Sequence, residues 1–113
     1  MTSENEFMSF AERVLNLIGN ALDDAADQDI DWSVNDGVLH IECADGSKLV
    51  VNRHVPNREM WVAAKSGGFH FRAVDGRWRD TRTHEELVRT LSTLLQAAGA
   101  QSVKLPDLPA PAA

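Results

Sequence analysis

The strongest constraint on this chain is a change of hydrophobic period, from helical to strand-like and back to helical. Between Ile30 and Trp78, short alternations of apolar and polar residues follow one another, most of them closed by turn-forming residues. Ile30 to Val34 ends at Asn35-Asp36-Gly37, and Val38 to Cys43 ends at Asp45-Gly46. Lys48 to Asn52 makes a third segment, and Pro56 after it marks a loop, because proline cannot donate to a ladder. Lys65-Ser66-Gly67-Gly68 separates Glu59–Ala64 from Phe69–Val74, and Asp75-Gly76 introduces a last segment around Trp78. Strand side chains alternate between faces, and Asx-Gly pairs supply the positive φ that tight hairpins need, so this stretch predicts six consecutive antiparallel strands.

On either side the period lengthens. From Glu4 to about Ala26, the residues Phe7, Phe10, Val14, Leu17, Ile18, Ala21 and Ala25 fall on one face at about 100° per residue. Ser3, three residues before Glu6, predicts a capped start. A second stripe, Leu87, Leu91, Leu94, Leu95 and Ala98, runs to a stop near Gly99, and Thr83 with Glu86 resembles a capping box at its start. Both stripes need one sheet face to bury them. The expected fold is therefore α+β, a two-layer α-β sandwich with two terminal helices on one face of a six-stranded antiparallel sheet. Residues 1–105 form a single domain in this reading, and the Pro/Ala-rich residues 106–113 form a flexible tail.

Several function classes fall away. A net charge of −6 disfavours general nucleic-acid binding, which neutralises phosphates with a basic surface. No apolar run reaches the roughly 20 residues that cross a bilayer, and Met1-Thr2-Ser3-Glu4 does not open a signal sequence, so the expected location is cytoplasmic. The single cysteine, Cys43, shares strand parity with Leu39 and Ile41 and reads as a small buried hydrophobe. His40, His54, His70 and His84 form no local pair with metal-ligand spacing and read as ordinary strand or surface histidines. Lys65-Ser66-Gly67-Gly68 lacks the spacing of a phosphate loop. The chain is not expected to be an enzyme.

Charge is distributed unevenly. Residues 1–36 hold nine acids against one base, Arg13, whereas residues 37–113 hold eight acids and ten bases. Asp23 and Asp24 end the first helix, Asp27 follows, and Asp29 and Asp31 alternate outward on the first strand, opposite the inward parity of Ile30, Trp32 and Val34. Like charges about 4 Å apart repel by about 1 kcal/mol in water and by more near a low-dielectric surface, so the cluster invites a cation or a basic partner. Carboxylates suit hard cations, including ferric iron, magnesium, calcium and manganese, without choosing among them. A solvated face that only aids solubility is the plain alternative. Farther along, parity with Met60 and Val62 inside sets Trp61 on the open sheet face near Asn52 and the arginines, where an exposed tryptophan can anchor a partner.

Asp29-Ile30-Asp31, Asn35-Asp36-Gly37-Val38-Leu39, Asp45-Gly46-Ser47-Lys48, Asn52-Arg53 through Pro56, Trp61-Val62-Ala63 and Gly67-Gly68-Phe69-His70-Phe71 occur in this order. In order and spacing they resemble the frataxin family, most closely its bacterial members, over Glu6 to about Leu95. That resemblance implies the same sandwich and weak surface binding of ferrous or ferric iron by Asp23, Asp24, Asp29 and Asp31, with Asp27 and Glu12 as neighbours. It also implies a role in iron–sulfur cluster assembly, regulating a cysteine desulfurase and scaffold complex and supplying iron. The implied partner surfaces are the ridge at Asp23 and Asp24, and the sheet at Asn52, Arg53 and Trp61. A modulator of the desulfurase that acts without metal is the alternative. The expected free state is a monomer, with iron-dependent oligomerisation as a further state. One departure matters: Gly19-Asn20 stands where related bacterial proteins often carry two glutamates, and Ser33 where another acid is common. A thinned ridge implies weaker or fewer iron sites, while docking on a basic partner survives because it depends on the summed field.

Overall fold

Ser3 begins the first helix as its sequence position suggests: its hydroxyl oxygen accepts from the Glu6 amide at 3.1 Å, satisfying one of the amides a helix start leaves unpaired. In the computed structural model, which describes residues 3–25 and 29–112, helix α1 spans Glu4–Asp24. It buries Phe7, Ala11, Val14, Leu15, Ile18 and Leu22. The buried stripe is rotated slightly from the expected one, leaving Phe10 and Leu17 half-buried.

Six strands follow: β1 (Asp31–Asn35), β2 (Val38–Glu42), β3 (Lys48–His54), β4 (Glu59–Ala64), β5 (Gly67–Val74) and β6 (Arg77–Asp80). They pair antiparallel in chain order, so each strand lies beside its sequence neighbours. Two-residue loops at Asp36-Gly37 and Asp75-Gly76 make this possible. All four residues have positive φ, which matches the twist of the flanking strands. Helix α2 (Leu87–Ala97) closes the element order. Leu39, Ile41, Leu49, Val51, Met60, Val62, Phe71 and Trp78 fill one sheet face and form one core with α1 and with Leu87, Leu91 and Leu95 of α2. Phe7 meets Trp78 edge to face at 6.0 Å. The sandwich expected from the sequence is the observed fold.

Three local expectations are corrected. Thr83 does not cap α2; the cap residue is Glu86. Asp80 accepts from the amides of Arg82 and Thr83 through Oδ1 and from the amide of His84 through its carbonyl, so residues 80–84 are held as a turn. Glu86 is extended and bridges to Arg79 before the helix begins. Val34 is not covered: it is 41% exposed on the edge strand β1, whereas Trp32 of the same strand packs over Gly19 of α1.

The tail, expected to be flexible from residue 106, instead packs. Trp78, 1% exposed, donates its indole N–H to the Pro109 carbonyl at 2.8 Å, and the Ala110 amide donates to Gly76 O at 3.2 Å. Leu108 and Ala110 join the core. A buried indole N–H needs an acceptor, and β6 is an open edge, so the tail meets both needs at once.

Candidate functional site

Two surfaces carry the residues singled out from the sequence. The first lies where α1 ends and β1 begins. Asp23 and Asp24 are exposed in the last turn of α1, Asp29 is exposed before β1, and Asp31 is exposed as its first residue. No basic residue stands in that last turn, where the negative end of the helix dipole already disfavours carboxylates. Asp27 lies outside the described residues.

Trp32 organises this corner. Its indole N–H donates to Asp23 Oδ1 at 2.8 Å, tying the end of the helix to the edge strand. The ring lies directly over Gly19: a Cβ there would sit 2.8 Å from Trp32 Cη2 and 2.9 Å from Cζ3. Gly19, which in the sequence looked like a missing acid, is thus the seat of an indole. Because Trp32 faces α1, its neighbour Asp31 turns to the open face, directly opposite Glu42, which in turn approaches Lys48 at 3.8 Å. Glu12 is exposed eleven residues before Asp23, about 16 Å away along the helix axis. The structure therefore groups Asp23 and Asp24, sets Asp31 around the edge with Glu42, and leaves Glu12 apart. Among the described residues, no three His, Cys, Asp or Glu side chains converge as a metal site. The described carboxylates form an acidic rim rather than a cage, a geometry suited to weak ligation and to long-range attraction of a basic surface.

The second surface is the open sheet face. Asn52 and Trp61 are direct cross-strand partners, and Trp61 in turn opposes His70. Arg53 does not share this face. It opposes the fully buried Met60, and its guanidinium lies against Gly37 and 3.6 Å from Asp36 Oδ1, at the sheet margin. Trp61 is half-buried between two imidazoles: His54 stacks on one side at 3.9 Å and His70 at 4.2 Å, both nearly parallel to the indole. Its N–H donates to Glu59 Oε1 at 2.9 Å, while Glu59 Oε2 accepts from Arg72 at 2.8 Å. Glu59 is only 3% exposed. Burial pushes its carboxyl up, but the bonds from Trp61 and Arg72 and the Arg72 charge outweigh it, so it titrates below its ordinary value.

Reading the sequence missed Glu59, His54 and His70 as parts of this face. The signal was present in the register of the hairpins, which sets His54 opposite Glu59 and His70 opposite Trp61, but single strands do not reveal register. Cys43 is buried as expected; burial, then the charge of Asp45, raises its thiol above the ordinary value, which disfavours the thiolate. No helix among the described residues is long and apolar enough to cross a membrane.

Comparison with known proteins places these surfaces in context. Residues 1–101 match the family model described as a frataxin-like domain. The chain is 44% identical to the iron-sulfur cluster assembly protein CyaY of Paraburkholderia phymatum over 103 residues, covering 91% of this chain and 97% of that protein. In structure it is similar to the frataxin of Psychromonas ingrahamii, with a TM-score of 0.78 at 25% identity, covering 96% of this chain and 98% of the other. A trimeric frataxin from the yeast Saccharomyces cerevisiae, complexed with ferrous iron, shares the fold at a TM-score of 0.70 and 23% identity, over 79% of this chain and 84% of that one.

Proposed function

The chain belongs to the frataxin family, and from that premise we propose that it serves iron–sulfur cluster assembly in the cytoplasm, as a regulator and iron carrier rather than a catalyst. In this reading it docks on the cysteine desulfurase through the acidic rim and on the scaffold protein through the face around Asn52 and Trp61. Iron is a passing cargo, held weakly by Asp23, Asp24, Asp29 and Asp31, with Asp27 and Glu12 as outlying carboxylates.

The observation that carries the proposal is the acidic rim at the end of α1, whose last turn holds no basic residue. Two exposed aspartates at the negative end of a helix, without a base in the last turn, cost stability that a solubilising surface elsewhere would not. A basic partner or a hard cation removes that cost. The open rim favours a docking surface with loosely held iron over a storage site, because docking depends on the summed field and closed ligation depends on convergent side chains.

The test is retention of the desulfurase and scaffold on the immobilised full chain, with Asp23→Lys and Asp24→Lys combined. Wild-type retention of the desulfurase is expected to weaken as salt rises, and the double reversal to abolish it while the scaffold is still held. Equal retention of the desulfurase by both proteins would sink the rim as its docking site. Desulfurase inhibition that is the same with and without ferrous iron would remove iron from the regulatory role.

A further inference from the structure

Trp61 is held in place before any partner arrives, and the geometry points to Glu59 as the positioning residue that fixes it. The inference rests on the reading of Trp61 as an anchor for the scaffold. Stacking between His54 and His70 defines the plane of the indole, with interplanar angles of 7° and 9°. It does not define orientation within that plane: a flat ring between two flat rings can turn over and keep both contacts. The bond from Trp61 Nε1 to Glu59 Oε1 at 2.9 Å breaks this degeneracy, because only one orientation brings the N–H to the carboxylate.

Glu59 is suited to this role by its own restraint. It lies two residues before Trp61 on β4, hence on the same face, and it directly opposes Arg72, whose guanidinium holds its second oxygen at 2.8 Å. His70 Nδ1 lies 4.0 Å from the oxygen that accepts from the indole N–H. The Glu59 side chain is 4% exposed, whereas that of Arg72 is 62% exposed, so the carboxylate is fixed and its counter-charge reaches into solvent. An anchor with one orientation loses less side-chain freedom on docking than a mobile one, a difference of about two- to tenfold in affinity.

The experiment compares Glu59→Ala and Glu59→Gln in the full chain, with Trp61→Ala as a control. Two readouts are taken: the Trp61 indole N–H and the His54 and His70 imidazole signals in the free protein by nuclear magnetic resonance, and affinity for the scaffold protein by calorimetry. In Glu59→Ala the indole N–H is expected to lose exchange protection, the imidazole signals to shift, and affinity to fall about two- to tenfold. Glu59→Gln leaves one acceptor oxygen where the carboxylate offers two, to Trp61 and to Arg72, so the indole signal and the affinity are expected between those of wild type and Glu59→Ala. An unmoved indole and unmoved imidazoles in Glu59→Ala overturn the inference. If Trp61→Ala leaves scaffold affinity unchanged, the docking reading fails, and the magnetic resonance arm still decides what Glu59 does.

Discussion

Gly19→Ala tests the packing of the acidic corner. In the interior of an open helix, Gly to Ala stabilises by about 0.8–1.0 kcal/mol. Here the new Cβ would lie 2.8 Å from Trp32 Cη2, inside any normal carbon–carbon contact, so the indole must move. Overpacking costs about 1–3 kcal/mol, and the low end applies because Trp32 is half-buried and can swing outward. The swing also breaks the 2.8 Å bond to Asp23. The expected outcome is a net loss of up to about 1 kcal/mol in place of a gain of similar size. In a Trp32→Ala background the obstruction is gone, and Gly19→Ala should recover its ordinary stabilisation of about 1 kcal/mol. Urea unfolding of the four proteins in the cycle gives a coupling energy of about 1–2 kcal/mol, well above the few tenths found between independent sites. Equal effects of Gly19→Ala in both backgrounds would refute the seating of Trp32 on Gly19.

Two further perturbations probe the other findings. Truncation after Leu105 removes the buried Leu108 and the acceptor of Trp78, and should lower stability by about 2–4 kcal/mol in urea unfolding; an unchanged midpoint would mean the tail does not pack. The lowered titration of Glu59 gives stability that is complete above its unfolded value of about 4.3 and is lost as pH falls through the folded value. The stability advantage of wild type over Glu59→Gln, followed from pH 6 down to pH 2.5, should therefore shrink below about pH 4.3, and a constant difference would contradict the carboxylate's pairing.

The meander was legible because its turns are local chemistry: Asp36-Gly37 and Asp75-Gly76 need only their own backbone to define a hairpin. Features set by distant partners were not. Thr83 and Glu86 have the spacing of a capping box, yet Asp80, a strand residue, claims that segment for a turn. Proline content marked residues 106–113 as unstructured, but a buried Trp78 N–H and an open β6 edge recruit Leu108, Pro109 and Ala110. Val34 has the inward parity of a core residue and is nevertheless 41% exposed on the edge strand. At the acidic corner, the exposure of Asp23, Asp24, Asp29 and Asp31 followed from their period, whereas the division of Asp23 from Asp31 follows from Trp32 turning toward α1. The same limit separated Arg53 from Trp61: adjacency to Asn52 in sequence puts it on the opposite face.

The proposed iron site is the rim at the end of α1 and the start of β1. Anaerobic titration with ferrous iron, followed residue by residue through amide signals, tests it most directly. Broadening is expected first at Asp23, Asp24, Asp29 and Asp31, weakly and without displacing the signals of Asn52, Trp61 and His70. Broadening that begins at His54 and His70, or that spares the rim, would contradict it.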